Sequence, residues 1–385
     1  MINSRQKTVF VGMSGGVDSS VTAFLLKKRG YNVVGVFMRC YNIDGCAERD
    51  AEDARRVAEH IGVPFYTWDF EEEYKKRVVE YMVEGYRAGI TPNPDVMCNR
   101  EIKFGLFLEK ALLMGADFVA TGHYVKIKKI AKVAKATKMV RATRSNNSSA
   151  RFALFTADDP NKDQSYFLWT LTQKQLAHCI FPIGDYEKPK VREMARRAGL
   201  PTAEKKDSQG ICFLGQVSIE DFLKQYIPEK RGEILTTAGI KIGEHRGAQF
   251  YTIGQRHIDA DFNFPKTRDR AAGGGDKPAE RKPLYVASKN AKTNTVVVAE
   301  GSDDPALYRK EIELVTMNFI SGKEFVGSCR ARVRYRQPLS AATLSKNENG
   351  NYLLSFVSPQ KFVAEGQSAV FYSKEGEMLG GGVIV

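Results

Sequence analysis

Apolar and polar positions follow two periods along the first 125 residues. Val9, Phe10 and Val11 form a short unbroken apolar run, as expected of a strand buried on both faces. Val17, Val21, Phe24 and Leu25 then recur at i, i+4, i+7 and i+8, which predicts an amphipathic helix, with Gly30 placed to stop it. The alternation continues with a strand over 31–38, a helix over 47–61, a strand over 64–70 and a helix over 74–86. A further helix over 102–114 precedes a strand over 117–121. Strands separated by single helices predict an α/β domain with a doubly wound, Rossmann-like parallel sheet that binds ligands beyond the carboxyl ends of its strands.

Near residue 217 the pattern changes. Ser218 with Asp221 predicts a capped short helix, and glycines punctuate the chain from there to about 283, with residues 263–282 reading as an exposed loop around Gly273-Gly274-Gly275. Beyond Pro283 short β-segments dominate, at 296–299, 314–320, 329–336, 352–357 and 369–372. The expected organisation is an N-terminal domain over 1–216, a small central α/β domain over 217–283 and an antiparallel β-barrel over 284–385. Across 329–337, Arg330, Arg332, Arg334 and Arg336 alternate with Cys329, Ala331, Val333 and Tyr335. Period-2 alternation predicts all four arginines on one strand face, either solvated or tracking phosphates.

The chemistry concentrates in loops. Residues 12–20 read Gly12-Met13-Ser14-Gly15-Gly16-Val17-Asp18-Ser19-Ser20, between the first strand and the first helix. Gly15 and Gly16 can adopt backbone angles closed to other residues, and a helix start offers N–H groups and dipole to an anion. This is a phosphate cradle, yet it has neither the lysine and spacing of G-x-x-x-x-G-K-[ST] nor the G-x-G-x-x-G fingerprint. Gly122-His123-Tyr124 ends a later strand and is expected to line the same crevice.

The formal net charge of +13 favours a polyanionic partner. Residues 125–157 carry nine basic residues and no acidic one, a segment equally compatible with a solvated insertion and a binding surface. No apolar run approaches the roughly 20 residues that span a bilayer, and too few residues precede the first strand for a leader, so the expected compartment is the cytoplasm.

Six cysteines, at 40, 46, 98, 179, 212 and 329, form no C-x-x-C pair, which argues against structural zinc and a disulfide framework. Two of them follow turn-rich segments: Thr91-Pro92-Asn93-Pro94-Asp95-Val96-Met97-Cys98-Asn99 and Asp207-Ser208-Gln209-Gly210-Ile211-Cys212. The prolines are expected to fix a turn ahead of a helix starting near Glu101, which would put Cys98 at a helix N-terminus, where thiolates are favoured. Cys212 has Lys205 and Lys206 upstream.

Ser14-Gly15-Gly16-Val17-Asp18-Ser19-Ser20 resembles the PP-loop of enzymes that adenylate a substrate by splitting ATP between its α and β phosphates. With the cysteine segments, Lys162–Leu168, Gly122-His123-Tyr124 and Val333-Arg334-Tyr335-Arg336, the chain resembles the tRNA-specific 2-thiouridylases nearly end to end. That resemblance implies ATP-dependent thiolation of the wobble uridine at C2, in the anticodon region of tRNA, with sulfur received from a sulfur-relay donor protein. It implies ATP at Gly12–Ser19, Met38 and Gly122, and the target base at Asn93, Pro94 and Asp95. Further tRNA contacts fall to Lys162, Asp163, Gln164, Arg334 and Tyr335. Cys212 would carry a persulfide, and Cys98 would be the nucleophile, ending in a Cys98–Cys212 disulfide. Mg2+ on the pyrophosphate is expected, with Asp18 open to a ligand role or a helix N-cap role.

The chain departs from the family at Gly254-Gln255-Arg256-His257-Ile258-Asp259 and in its basic segment. Tyr335 would face opposite Arg334 on a regular strand, so a shared tRNA contact needs a twist or a strand end. The alternatives are a PP-loop ligase or amidotransferase, which leaves Cys98 and Cys212 without roles, and a nucleic-acid-binding protein with a decayed catalytic domain, which leaves an undamaged loop unexplained.

Overall fold

The computed structural model describes residues 6–41, 45, 47–130, 151–207, 217–258, 260–262 and 282–385. Cys212, Cys46 and most of the basic segment lie outside these residues.

Strands Thr8–Gly12 (β1), Asn32–Arg39 (β2), Phe65–Asp69 (β3), Phe118–Ala120 (β4) and Cys179–Ile180 make one parallel sheet in the order β3-β2-β1-β4 and then Cys179–Ile180. Alternation along β1 feeds two cores. Val9 and Val11 pack with Val17, Val21 and Leu26 on one face, and Phe10 packs with Trp68, Phe104 and Phe107 on the other. Helix Val17–Lys28 follows the loop, and Gly30 stops it with φ +84°. The helix preceding β4 is longer than expected. It begins at Pro94, passes through a π-helical stretch at Asn99–Leu106 and ends at Leu113.

A hairpin, Lys126–Ile130 with Arg151–Phe155, brackets the basic segment. Two of its charges are paired locally, Lys126 with Asp158 and Arg151 with Glu377.

Ser218 caps the short helix Ile219–Leu223, as expected. The central sheet then departs from the expected boundary at 283/284. Leu284–Asn290 and Thr295–Glu300 pair with each other and, through Gly232–Thr236, with Lys241–His245 and Asp261–Phe262. These strands belong to the central sheet because their apolar residues Val286, Val296 and Val298 complete its core with Ile234 and Ile242. Tyr308–Phe319, Gly327–Arg332, Ser340–Lys346, Tyr352–Lys361, Ser368–Tyr372 and Met378–Ile384 form a closed six-stranded antiparallel barrel.

The arginine stripe is also corrected. Its strand ends at Arg332, whose guanidinium is buried on Asp163 of the N-terminal domain, with Tyr372 Oη 2.8 Å away. Arg330 is exposed, while Arg334 and Arg336 lie beyond the strand, Arg336 at φ +64°. Packing of barrel against sheet domain converts one expected phosphate contact into a structural ion pair.

Candidate active site

The loop is arranged by its own hydroxyls. Ser14 N donates to Ser19 Oγ at 3.1 Å, Ser20 Oγ donates to Gly16 O at 2.8 Å, and Thr202 Oγ1 holds Ser20 Oγ at 2.8 Å. Gly15 has φ +71°, and a Cβ there would stand 2.3 Å from Asp50 O. Gly16 corrects the expectation for both glycines: its φ of −92° is open to any residue, and its place is the N-cap of helix Val17–Lys28. No side chain caps that helix, which leaves the first turn facing the loop as an anion-binding end. A Cβ at Gly12 would lie 3.0 Å from Met38 Cε, and one at Gly122 would lie 2.7 Å from Ser19 N, so the residues expected around ATP converge.

Asp18, second residue of that helix, is neither the N-cap nor open to a metal. Lys188 Nζ donates to both its oxygens at 2.7 and 2.8 Å, and Tyr124 Oη donates at 2.7 Å. Lys188 is buried and reaches Asp207 Oδ1 at 2.8 Å, where Arg192 also arrives at 2.7 Å, while Lys162 donates to Asp207 Oδ2 at 2.5 Å. Burial would raise the Asp207 carboxyl, but Lys162 and Lys188 outweigh it and hold it at about 2. This network joins the first turn of the loop helix to the residue where the described chain stops before Cys212. Lys205, expected to support Cys212, instead pairs with Asp50 and Asp53, both at 2.6 Å.

The second helix start is dry. Asn93 Oδ1 accepts from Val96 N at 3.2 Å, and Pro94 occupies the first helical position, where its missing N–H costs nothing. Cys98 therefore lies one turn inside a helix, contrary to the expected N-terminal position, and is buried. Burial pushes its thiol up and Asp95 adds to this, while Lys103 and a hydrogen bond with Tyr74 oppose it. Asp95 is itself raised by burial against the Lys103 charge. His123, stacked near Phe104 and bonded through Nδ1 to Thr121 Oγ1 at 2.7 Å, is held neutral by burial and by Lys103. Asn99 donates to Asp95 O at 3.0 Å, and its buried Oδ1 has no partner among the described residues.

The remaining expected contacts separate. Lys162 is half-exposed on the Asp207 network. Asp163, 4% exposed, pairs with Arg332 of the barrel and accepts from Ser165 Oγ and Ala157 N. Gln164 exchanges backbone and side-chain bonds with Tyr124. Arg334 donates to Ile253 O at 2.6 Å, and Tyr335 stacks on Phe167 with centroids 4.5 Å apart; both lie past the strand end, so the alternation rule does not separate them. Sequence reasoning missed Lys103, Lys188 and Asp207. Asp207 stood within a singled-out motif, but the two lysines carry no local signal because tertiary contacts define them.

Comparison with known proteins places this geometry. A model described as a tRNA methyl transferase HUP domain matches residues 7–216, the corresponding PRC-barrel domain matches 220–300, and an aminomethyltransferase beta-barrel domain matches 309–384. The chain is 41% identical to the tRNA-specific 2-thiouridylase MnmA of Streptococcus thermophilus over 100% of this chain and 96% of the relative. With the protein of the same name from Pseudomonas syringae it shares 44% over 99% and 95%. Among solved structures, a 4-thiouridine synthetase–RNA complex with bound ATP is 18% identical, covering 58% of this chain and 50% of that one at a TM-score of 0.32. By its full-length match to these relatives and domain models, the chain belongs to the tRNA-specific 2-thiouridylase family.

Proposed function

We propose that the chain thiolates the wobble uridine of tRNA at C2 in an ATP-dependent reaction. The observation that carries this is the 41–44% identity to tRNA-specific 2-thiouridylases across nearly the whole chain. Uracil O2 attacks the α-phosphorus and pyrophosphate leaves. Sulfur then attacks C2, and the C2–O bond breaks to release AMP. Cys98 attacks Cys212 Sγ of a Cys212 persulfide. The bond between the two sulfurs breaks, hydrosulfide goes to C2, and a Cys98–Cys212 disulfide remains. A sulfur-relay protein supplies the persulfide.

The residues supply binding and order. The uncapped first turn at Gly16–Ser19 receives phosphate, aided by the positive φ at Gly15. Cys98 holds its proton at neutral pH, because burial and Asp95 raise its thiol. That protects it until substrate binding opens the pocket to solvent, with the Lys103 charge then favouring the thiolate. The donor set does not fit Mg2+ at Asp18, whose oxygens are taken by Lys188, and no group of three His, Cys, Asp or Glu among the described residues forms a metal site. No step is routed through the metal.

The test is purified protein with ATP, sulfide and unmodified tRNA, followed by nucleoside analysis. Formation of 2-thiouridine is expected; its absence with ATP binding intact overturns the reading. Cys212→Ser is expected to abolish transfer from a persulfide donor, and rescue by free sulfide assigns Cys212 as carrier.

A further inference from the structure

The backbone polar groups of Thr91 and Pro92, just ahead of Asn93, are hydrogen-bonded by the barrel. Thr91 N donates to Glu365 O at 2.8 Å. Gln367 Nε2 donates to Thr91 O and to Pro92 O, both at 3.0 Å. Gly366, at φ +87°, lets the two backbones touch: a Cβ there would lie 2.9 Å from Thr91 O. Pro92 packs against Gly85, and Thr91 Oγ1 reaches Thr252 Oγ1 of the central domain at 3.5 Å. The barrel turn is fixed in its turn by Gly366 N to Ile384 O (2.9 Å) and Ile384 N to Gln367 O (2.8 Å). Thr91-Pro92 is thus a point where all three domains meet, one residue before the cap of the Cys98 helix.

We infer that the barrel turn Glu365-Gly366-Gln367 is a clamp that sets the position of Asn93, Asp95 and Cys98, with Gln367 as the positioning residue. The barrel then governs the chemical step directly, and not only affinity for RNA. Gln367 satisfies two carbonyls that no helix or strand of their own domain takes up, so its amide fixes both the height and the tilt of the helix start. Reaction rates respond to ångström-scale misplacement of reacting groups. The inference rests on the proposed thiolation.

The test uses the full chain with Gln367→Met, which keeps length and removes the donors, and Gln367→Glu, which places a carboxylate oxygen against two carbonyls. In the thiolation assay, kcat is expected to fall about tenfold for Met and further for Glu. KM for tRNA stays within about twofold, adenylation falls with sulfur transfer because Asn93 and Asp95 are the residues assigned to the target base, and the pH profile of Cys98 alkylation shifts. Three results overturn the clamp: kcat unchanged in both variants, KM rising with kcat constant, or a Cys98 alkylation profile that overlays the unaltered one. If the unaltered chain forms no 2-thiouridine, the proposed function fails; if it does and both variants match it, only the clamp fails.

Discussion

Two helices begin at the carboxyl edge of the parallel sheet, and each has an aspartate as its second residue. Helix Val17–Lys28 opens on Gly16 with no side-chain cap, and its Asp18 is ion-paired to Lys188. The helix from Pro94 opens on a capped turn, and its Asp95 lies in a dry pocket that raises its carboxyl. The first start leaves donors facing the loop and surrounds them with cations, which suits a polyphosphate. The second satisfies its donors internally and excludes water, which suits a thiol kept protonated until needed. The same local motif serves binding in one place and restraint in the other, and capping and burial make the difference.

The comparison breaks most easily at the open start. Gly15→Ala puts a Cβ 2.3 Å from Asp50 O at a φ that disfavours L side chains, so the loop must shift. ATP-dependent adenylation is expected to fall about 100-fold, with the fold intact by circular dichroism; an unchanged rate would refute the role of the loop shape. At the closed start, Asn93→Ala removes the cap and is expected to cost about 1 kcal/mol of stability, read as a lowered denaturant midpoint. ATP binding should be spared, and adenylation and sulfur transfer slowed. Weakened ATP binding would mean that the two helix starts are not independent.

How much of this was legible depends on the range of the interactions involved. The β1–loop–helix unit is local: Val9 to Val11, Gly15 and the Val17/Val21/Leu25 spacing dictate it without reference to the rest of the chain. The family resemblance located Cys98, but local rules misplaced its helix start. Pro94 reads as a breaker and is in fact a first-turn residue, because Asn93 caps ahead of it. Arg332 and Asp163 pair across a domain interface from 169 positions apart, a contact that strand periodicity does not show. The clustering of Lys162, Lys188 and Arg192 on Asp207 is equally invisible to periodicity. After Pro283 the expected segments found five of the eight strands, missed Leu284–Asn290, Ser340–Lys346 and Met378–Ile384, and ran past the strand end at Arg332; which sheet each strand joins depends on pairing partners that sequence order does not reveal.

The smallest expected effect sharpens the comparison most. Lys103 lies five positions past Cys98 and lowers the Cys98 thiol, the Asp95 carboxyl and the His123 imidazole together. Burial dominates the Cys98 shift, so Lys103→Met should raise an already elevated thiol pKa further and leave less thiolate at a given pH. The Asp95 carboxyl would also rise. As it takes up a proton it stops repelling the thiolate, which offsets part of the loss. Iodoacetamide labelling of Cys98 at pH 8, read by peptide mass spectrometry to separate it from the other cysteines, is expected to slow about three- to tenfold. The rate–pH profile should move to higher pH. Lys103→Arg should restore the rate, because charge rather than shape is at stake, and Asp95→Asn should speed labelling by removing the carboxylate that raises the thiol. A Lys103→Met profile that overlays the unaltered one would mean that burial alone holds Cys98 in its protonated state.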